Sequence, residues 1–303
     1  MQKLLPSYLS AFESGKLDEL RNELYSRMES CTLCPRNCNV NRLGGEMGTC
    51  NTGSKAMVSS YGPHYGEEDV LVGRHGSGTI FFTNCNLLCT FCQNYDISHQ
   101  GRGREVSDEE IAGMMLELQS RGCHNINFVT PSHVIPQIVG AVSIASEKGL
   151  KIPLVYNSGG YDSVESIKLL DGIIDIYMPD LKFSDPDIAE RTCDARDYFD
   201  VARKAIKEMH RQVGDLETND EGIAYRGLMI RHLIMPENVA GTERIMEFIA
   251  EEISVKTYIN IMDQYYPRGK VKAGSKIDRP ITYGEDRNAR KIAMEKGLER
   301  ISG

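Results

Sequence analysis

Apolar and polar positions change rhythm twice along this chain. Leu17, Leu20, Leu24 and Met28 recur at three- and four-residue intervals, the spacing of one apolar helix face. Between Cys31 and Cys50 the periodicity lapses into a stretch rich in Asn, Gly and Arg, which predicts a small knob built from loops. From about Gly78 a short, unbroken apolar run is followed by a helical stripe, and the pair then repeats. The runs Thr79–Thr83, Ile126–Thr130, Pro153–Asn157, Ile173–Met178, Leu228–Met235 and Tyr258–Met262 predict six strands. Between them lie the stripes of helices. Ser107 and Glu110 form a capping box ahead of Ile111, Met114, Met115 and Leu118. Ile135, Ile138, Val139 and Val142 mark the next helix, and further stripes fall in Val164–Leu170, Tyr198–Val213, Thr242–Ile253 and Asp286–Gly297.

Unbroken apolar runs alternating with helices are what parallel strands covered on both faces require. The predicted fold is α/β: a partial (β/α)6 TIM-type barrel with a small Cys-rich N-terminal extension. The predicted division is 1–60 for the N-terminal helix and Cys-rich segment, and 61–303 for the barrel. Chemistry in such a fold gathers at the C-terminal ends of the strands. The long polar connection from Lys182 to Tyr198 is expected to be a lid or a substrate loop.

Composition narrows the function classes. With 303 residues, 41% apolar and 26% charged, the chain has the ordinary globular mix. A net charge of -8 opposes a broad nucleic-acid footprint, since a phosphate backbone would be repelled. No apolar run approaches the roughly 20 residues that span a bilayer. Met1 to Leu20 carries polar and acidic residues where a signal peptide needs an apolar stretch. A cytoplasmic protein without a membrane partner is expected.

The nine cysteines change this picture. Seven fall in two groups, Cys31, Cys34, Cys38 and Cys50, then Cys85, Cys89 and Cys92. Clustered thiols in a reducing compartment point to metal rather than disulfides. Cys123 and Cys193 stand alone and read as small buried hydrophobes. The second group has C-x3-C-x2-C spacing directly after the first strand. Three thiolates on one short loop can each take one iron of a cubane cluster and leave the fourth iron open, as a catalytic metal site requires. A zinc site completed by His99 or another Cys is the alternative. The first group supplies a complete set of four thiolates, and a zinc site and a second [4Fe–4S] cluster fit that count equally well.

Cys85, Cys89, Phe91 and Cys92 after the first strand resemble the radical S-adenosylmethionine superfamily. Cys92–Tyr95, Asn125–Pro131, Val155–Tyr161, Asp175–Lys182 and Ile230–Pro236 resemble its pyruvate formate-lyase activating enzyme-like branch. The resemblance implies a [4Fe–4S] cluster on the three cysteines, with S-adenosylmethionine chelating the open iron. A one-electron donor such as flavodoxin or ferredoxin would reduce the cluster, and a 5′-deoxyadenosyl radical would then abstract hydrogen from a substrate. It also implies cofactor-binding residues at successive strand ends. Where many members carry Gly-Gly-Glu after the second strand, this chain reads Val129-Thr130-Pro131-Ser132-His133, which makes Thr130 or Ser132 the candidate contact. Asn157 follows the third strand, Asp180 and Lys182 the fourth, and Arg231 and His232 lie on the fifth. A turn capping the next helix is the plainer reading of Thr130 and Ser132, a surface ion pair that of Asp180 and Lys182, and an internal ion pair with Asp175 or Asp180 that of Arg231. The implied activity is anaerobic activation of a glycyl-radical enzyme. Radical modification of another peptide or small molecule is the runner-up. A non-catalytic Fe–S carrier is the third reading, opposed by the missing fourth thiolate.

Overall fold

The computed structural model describes residues 5–303. Its strands are β1 (Ala56–His64), β2 (Ser77–Phe82), β3 (Arg104–Val106), β4 (Ile126–Val129), β5 (Leu154–Ser158), β6 (Ile176–Pro179), β7 (Glu217–Thr218), β8 (Ala224–Leu233), β9 (Tyr258–Met262) and β10 (Arg300–Ser302). The main sheet runs β10-β9-β8-β6-β5-β4-β2-β1-β3. From β2 through β9 every neighbouring pair is parallel, as the six apolar runs predict. The result is a partial TIM-type barrel.

The edges differ from the sequence expectation. β10 adds a seventh parallel strand beside β9, while β1 and β3 extend the other edge antiparallel. These strands are short or half exposed, so they lack the unbroken apolar run of a covered strand. The expected domain boundary near residue 60 falls inside β1. The N-terminal helices Tyr8–Glu13 and Lys16–Ser26 bury Tyr8, Leu17, Leu20 and Leu24 in the same core as the barrel helices. Met28 closes that stripe.

Two apolar clusters follow from strand alternation. Side chains facing outward meet the helices and form the large cluster that includes Phe82, Phe128 and Tyr177. Inward-facing Val155, Ile176, Met178 and Met229 form a smaller one with Leu71 and Leu216, which plugs the barrel below its C-terminal mouth. Leu71 is carried by the short helix Asp69–Val72, which brings Glu67 and Glu68 in beneath the same mouth.

The segment from Lys182 to Tyr198 is not a free lid. Asp185 caps the helix Pro186–Cys193 with its side chain, and Ala189, Thr192 and Cys193 pack inward. Among the described residues no helix is long and apolar enough to cross a membrane.

Candidate active site

Cys85, Cys89 and Cys92 leave the C-terminal end of β2 on one turn, shaped by left-handed backbone at Asn84 (φ 72°) and Leu88 (φ 55°). Leu87 N–H donates to Cys85 Sγ (3.3 Å), and the Ser98 hydroxyl donates to Cys92 Sγ (3.2 Å). The three thiols line one cleft of about 260 Å³ at the barrel mouth. His99 stacks on Tyr95 and bonds Ser98, and it is absent from the cleft lining. Burial pushes the Cys85 thiol up to about 12 and raises Cys92 as well. Without metal these thiols are protonated at neutral pH, so loading releases protons.

Parallel strands deliver the opposite wall. Thr130, Asn157, Asp180, Lys182 and Arg231 all line this cleft. Thr130 holds a left-handed backbone (φ 62°), a costly conformation for a β-branched residue, at the end of β4. Lys182 Nζ lies 2.5 Å from Asp180 Oδ2, so two residues at i and i+2 do reach the same side. Gly160 lets the backbone pass close beside Asp180 O, where any Cβ would collide. Gln93 also lines the cleft, with its Oε1 buried and unpartnered.

Arg231 does not hold a free fork for a carboxylate. Its Nε donates to Asp180 Oδ1 (2.8 Å) and its Nη2 to Asn157 Oδ1 (2.7 Å). Its Nη1 faces Glu67 and Glu68 at 3.6 and 3.8 Å. The guanidinium is a buried scaffold that fixes Asn157 and Asp180. Burial alone would raise the Asp180 carboxyl, but Arg231 and Lys182 outweigh it and hold it below its ordinary value. Glu67 goes the other way: burial pushes it up to about 7 against the pull of Arg231.

Two further candidates lie outside the cleft. His232 alternates with Arg231 along β8 and therefore points outward, where its ring nitrogens meet Leu181 O (2.8 Å) and Thr242 Oγ1 (2.9 Å). Ser132 donates to Asp162 Oδ1 (2.6 Å), a carboxylate that also accepts from Tyr156 and Ser158. Both have structural partners.

Cys193, read from sequence as an isolated hydrophobe, sits with its Sγ 3.4 Å from Cys89 Sγ and is 2% exposed. That bond is also the largest cause of the raised Cys89 thiol. With Cys89 ligating iron, the Cys193 S–H would donate to a coordinated thiolate, and hydrogen bonds to ligand sulfur raise a cluster's potential. Cys193→Ala is therefore expected to keep iron and sulfide content but lower the midpoint potential by roughly 40 mV, the one-electron equivalent of about 1 kcal/mol. An EPR-monitored redox titration measures this, and an unchanged or higher potential would reject it.

Cys31, Cys34, Cys38 and Cys50 line a second, much tighter cavity together with Arg42 and His133. Burial pushes the Cys34 thiol up to about 12.

The partial parallel barrel sets three thiols after its first parallel strand opposite polar strand ends in one cleft, the place where barrel enzymes carry their chemistry. The donor set fits a [4Fe–4S] cluster, and the unpartnered Gln93 Oε1 fits a donor group on a bound cofactor. The chain belongs to the radical SAM superfamily, whose family model matches residues 79–249. Membership implies a [4Fe–4S] cluster and S-adenosylmethionine. An uncharacterized protein of Methanocaldococcus jannaschii is 34% identical over 280 residues, covering 90% of this chain and 77% of that protein.

Proposed function

We propose that the cluster sits on Cys85, Cys89 and Cys92, and that the enzyme abstracts hydrogen from a polypeptide, as the activating enzyme of a glycyl-radical protein. The observation that carries the radical chemistry is the meeting of three thiols with Thr130, Asn157, Asp180 and Lys182 around one cleft. When bound, the reduced cluster would supply the one electron that breaks a carbon–sulfur bond of the S-adenosylmethionine sulfonium, with methionine leaving, which is the chemistry that makes hydrogen abstraction possible. The chain's own residues place and shield that chemistry. Thr130, Asn157 and Lys182 offer hydrogen bonds to the cofactor from three strand ends. Phe81, Leu233 and Met262 give the cleft apolar walls that exclude water. Glu67, Glu68 and Asp180 outnumber Arg231 and Lys182 by one charge when all are ionised, which suits a sulfonium cation. The polypeptide substrate and the low-potential donor, flavodoxin or ferredoxin, rest on resemblance to the activating-enzyme branch.

The test is anaerobic turnover of the reconstituted enzyme with reductant, S-adenosylmethionine and glycyl-radical proteins. The expected result is 5′-deoxyadenosine together with a glycyl EPR doublet on one partner. Nucleoside release without a doublet, coupled to mass change in a peptide or small molecule, would move the assignment to radical modification of that substrate.

A further inference from the structure

The four N-terminal cysteines surround a site that demands negative charge. Arg42 is 1% exposed and has no carboxylate partner among the described residues. Its guanidinium donates to Gly53 O and His133 O, and its Nη1 stands 3.9 Å from Cys31 Sγ. A buried guanidinium without a counterion is costly, and a centre of metal-bound thiolates supplies the missing charge. His133 lines the same cavity, fully buried, with its Nδ1 unpartnered. Two N–H···S or O–H···S contacts from Thr49 reach Cys38 Sγ, matching the Leu87 N–H···S bond at Cys85. In both cysteine groups the thiols line a common cavity, and in both a backbone N–H donates to a cysteine sulfur, the hydrogen bonding that a thiolate-ligated cluster accepts.

This knob is linked to the catalytic loop by two direct routes and a third through His133. Arg36, two residues after Cys34, donates from Nε to Asn86 O (2.8 Å) and from Nη2 to Cys193 O (2.7 Å). Asn84, next to Cys85, donates to Thr52 Oγ1 (3.2 Å), which itself donates to Cys50 O (3.0 Å). His133 Nε2 meets Thr83 O (3.0 Å) at the end of the strand leading to the triad. Cys38 is half-buried, and Leu43 and Met47 are exposed on the same knob. The catalytic cleft, by contrast, would be filled by cofactor and substrate during turnover.

We propose that Cys31, Cys34, Cys38 and Cys50 hold a second iron–sulfur cluster, fully ligated by thiolates, that passes electrons from a docked protein donor to the catalytic cluster. The proposal rests on the radical-enzyme reading above. One electron moves at each step. The reduced flavodoxin-class donor is oxidised as the N-terminal cluster is reduced, and that cluster is reoxidised as the catalytic cluster is reduced. No bond forms or breaks, and no proton leaves a thiol.

The test compares the anaerobically reconstituted full chain with Cys34→Ala/Cys38→Ala. Wild type should hold about eight irons and eight sulfides without zinc, and the variant about four of each. Stopped-flow reduction of the catalytic cluster by reduced flavodoxin should slow at least tenfold in the variant, while reduction by dithionite is unchanged. If the variant does not fold, wild type still decides: two adjacent reduced clusters broaden each other's EPR signals. Zinc at the knob, an unbroadened one-cluster spectrum, or equal flavodoxin rates would overturn the relay. Failure of the radical-enzyme reading would instead show as no 5′-deoxyadenosine from wild type with dithionite.

Discussion

Cys89→Ala is expected to abolish 5′-deoxyadenosine release, by on the order of 10³-fold or more, while the protein remains folded. Three thiolates are the minimum that leaves one iron open, and two cannot hold a cubane against loss of iron. Cys89 is 8% exposed at the edge of the apolar core, so truncation leaves only a small cavity, worth about 1 kcal/mol. The two readouts therefore separate. Iron and sulfide analysis should show loss of the catalytic cluster, whereas urea unfolding should move little. Cys193→Ala is the matched control. It removes a sulfur 3.4 Å away, yet it should keep the cluster and most of the nucleoside release. Loss of activity in Cys193→Ala equal to that in Cys89→Ala would mean that Cys193 ligates iron, and the assignment of three ligands would fall.

What could be read from sequence was whatever lies within one run of residues. The strand runs carried the barrel because covered parallel strands are apolar on both faces, and Tyr258–Met262 matched its strand end to end. The triad spacing was equally local. That same two-sided burial hid which of Arg231 and His232 faces the cleft, since alternation shows in sequence only when one face is polar. Cys193 meets Cys89 across 104 residues, and Glu67 and Glu68 reach Arg231 from before the first parallel strand. Pairings of that kind are products of topology. Asp185, followed by Pro186, was the available local signal that the segment after Lys182 starts a helix rather than a lid.

Arg231→Met should produce the largest loss of stability, about 3–5 kcal/mol at pH 8, by leaving buried carboxylates without their cation. Arg231 is the shared partner of Asp180, Glu67 and Glu68, whose side chains are 12%, 8% and 5% exposed. Lys182 still compensates Asp180, so the uncompensated charge falls on the two glutamates. The loss should depend on pH with a definite sign. The Glu67 carboxyl is raised from 4.5 to about 7 in the folded state. Between those values the folded chain binds more protons than the unfolded one, so this group's contribution falls as pH rises through the window. Removing Arg231 takes away the cation that lowers Glu67, so its folded value moves higher still and the decline steepens. Urea midpoints should therefore show a penalty near pH 5.5 that is smaller by roughly 1–2 kcal/mol than at pH 8. Equal penalties at both pH values would mean that the glutamates do not feel Arg231. Because Arg231 also fixes Asn157 Oδ1 and Asp180 Oδ1, the variant should bind S-adenosylmethionine at least tenfold more weakly even at the lower pH, where the fold recovers. Protonating Glu67 removes a buried charge, but it does not put back the two hydrogen bonds that held the strand ends in place.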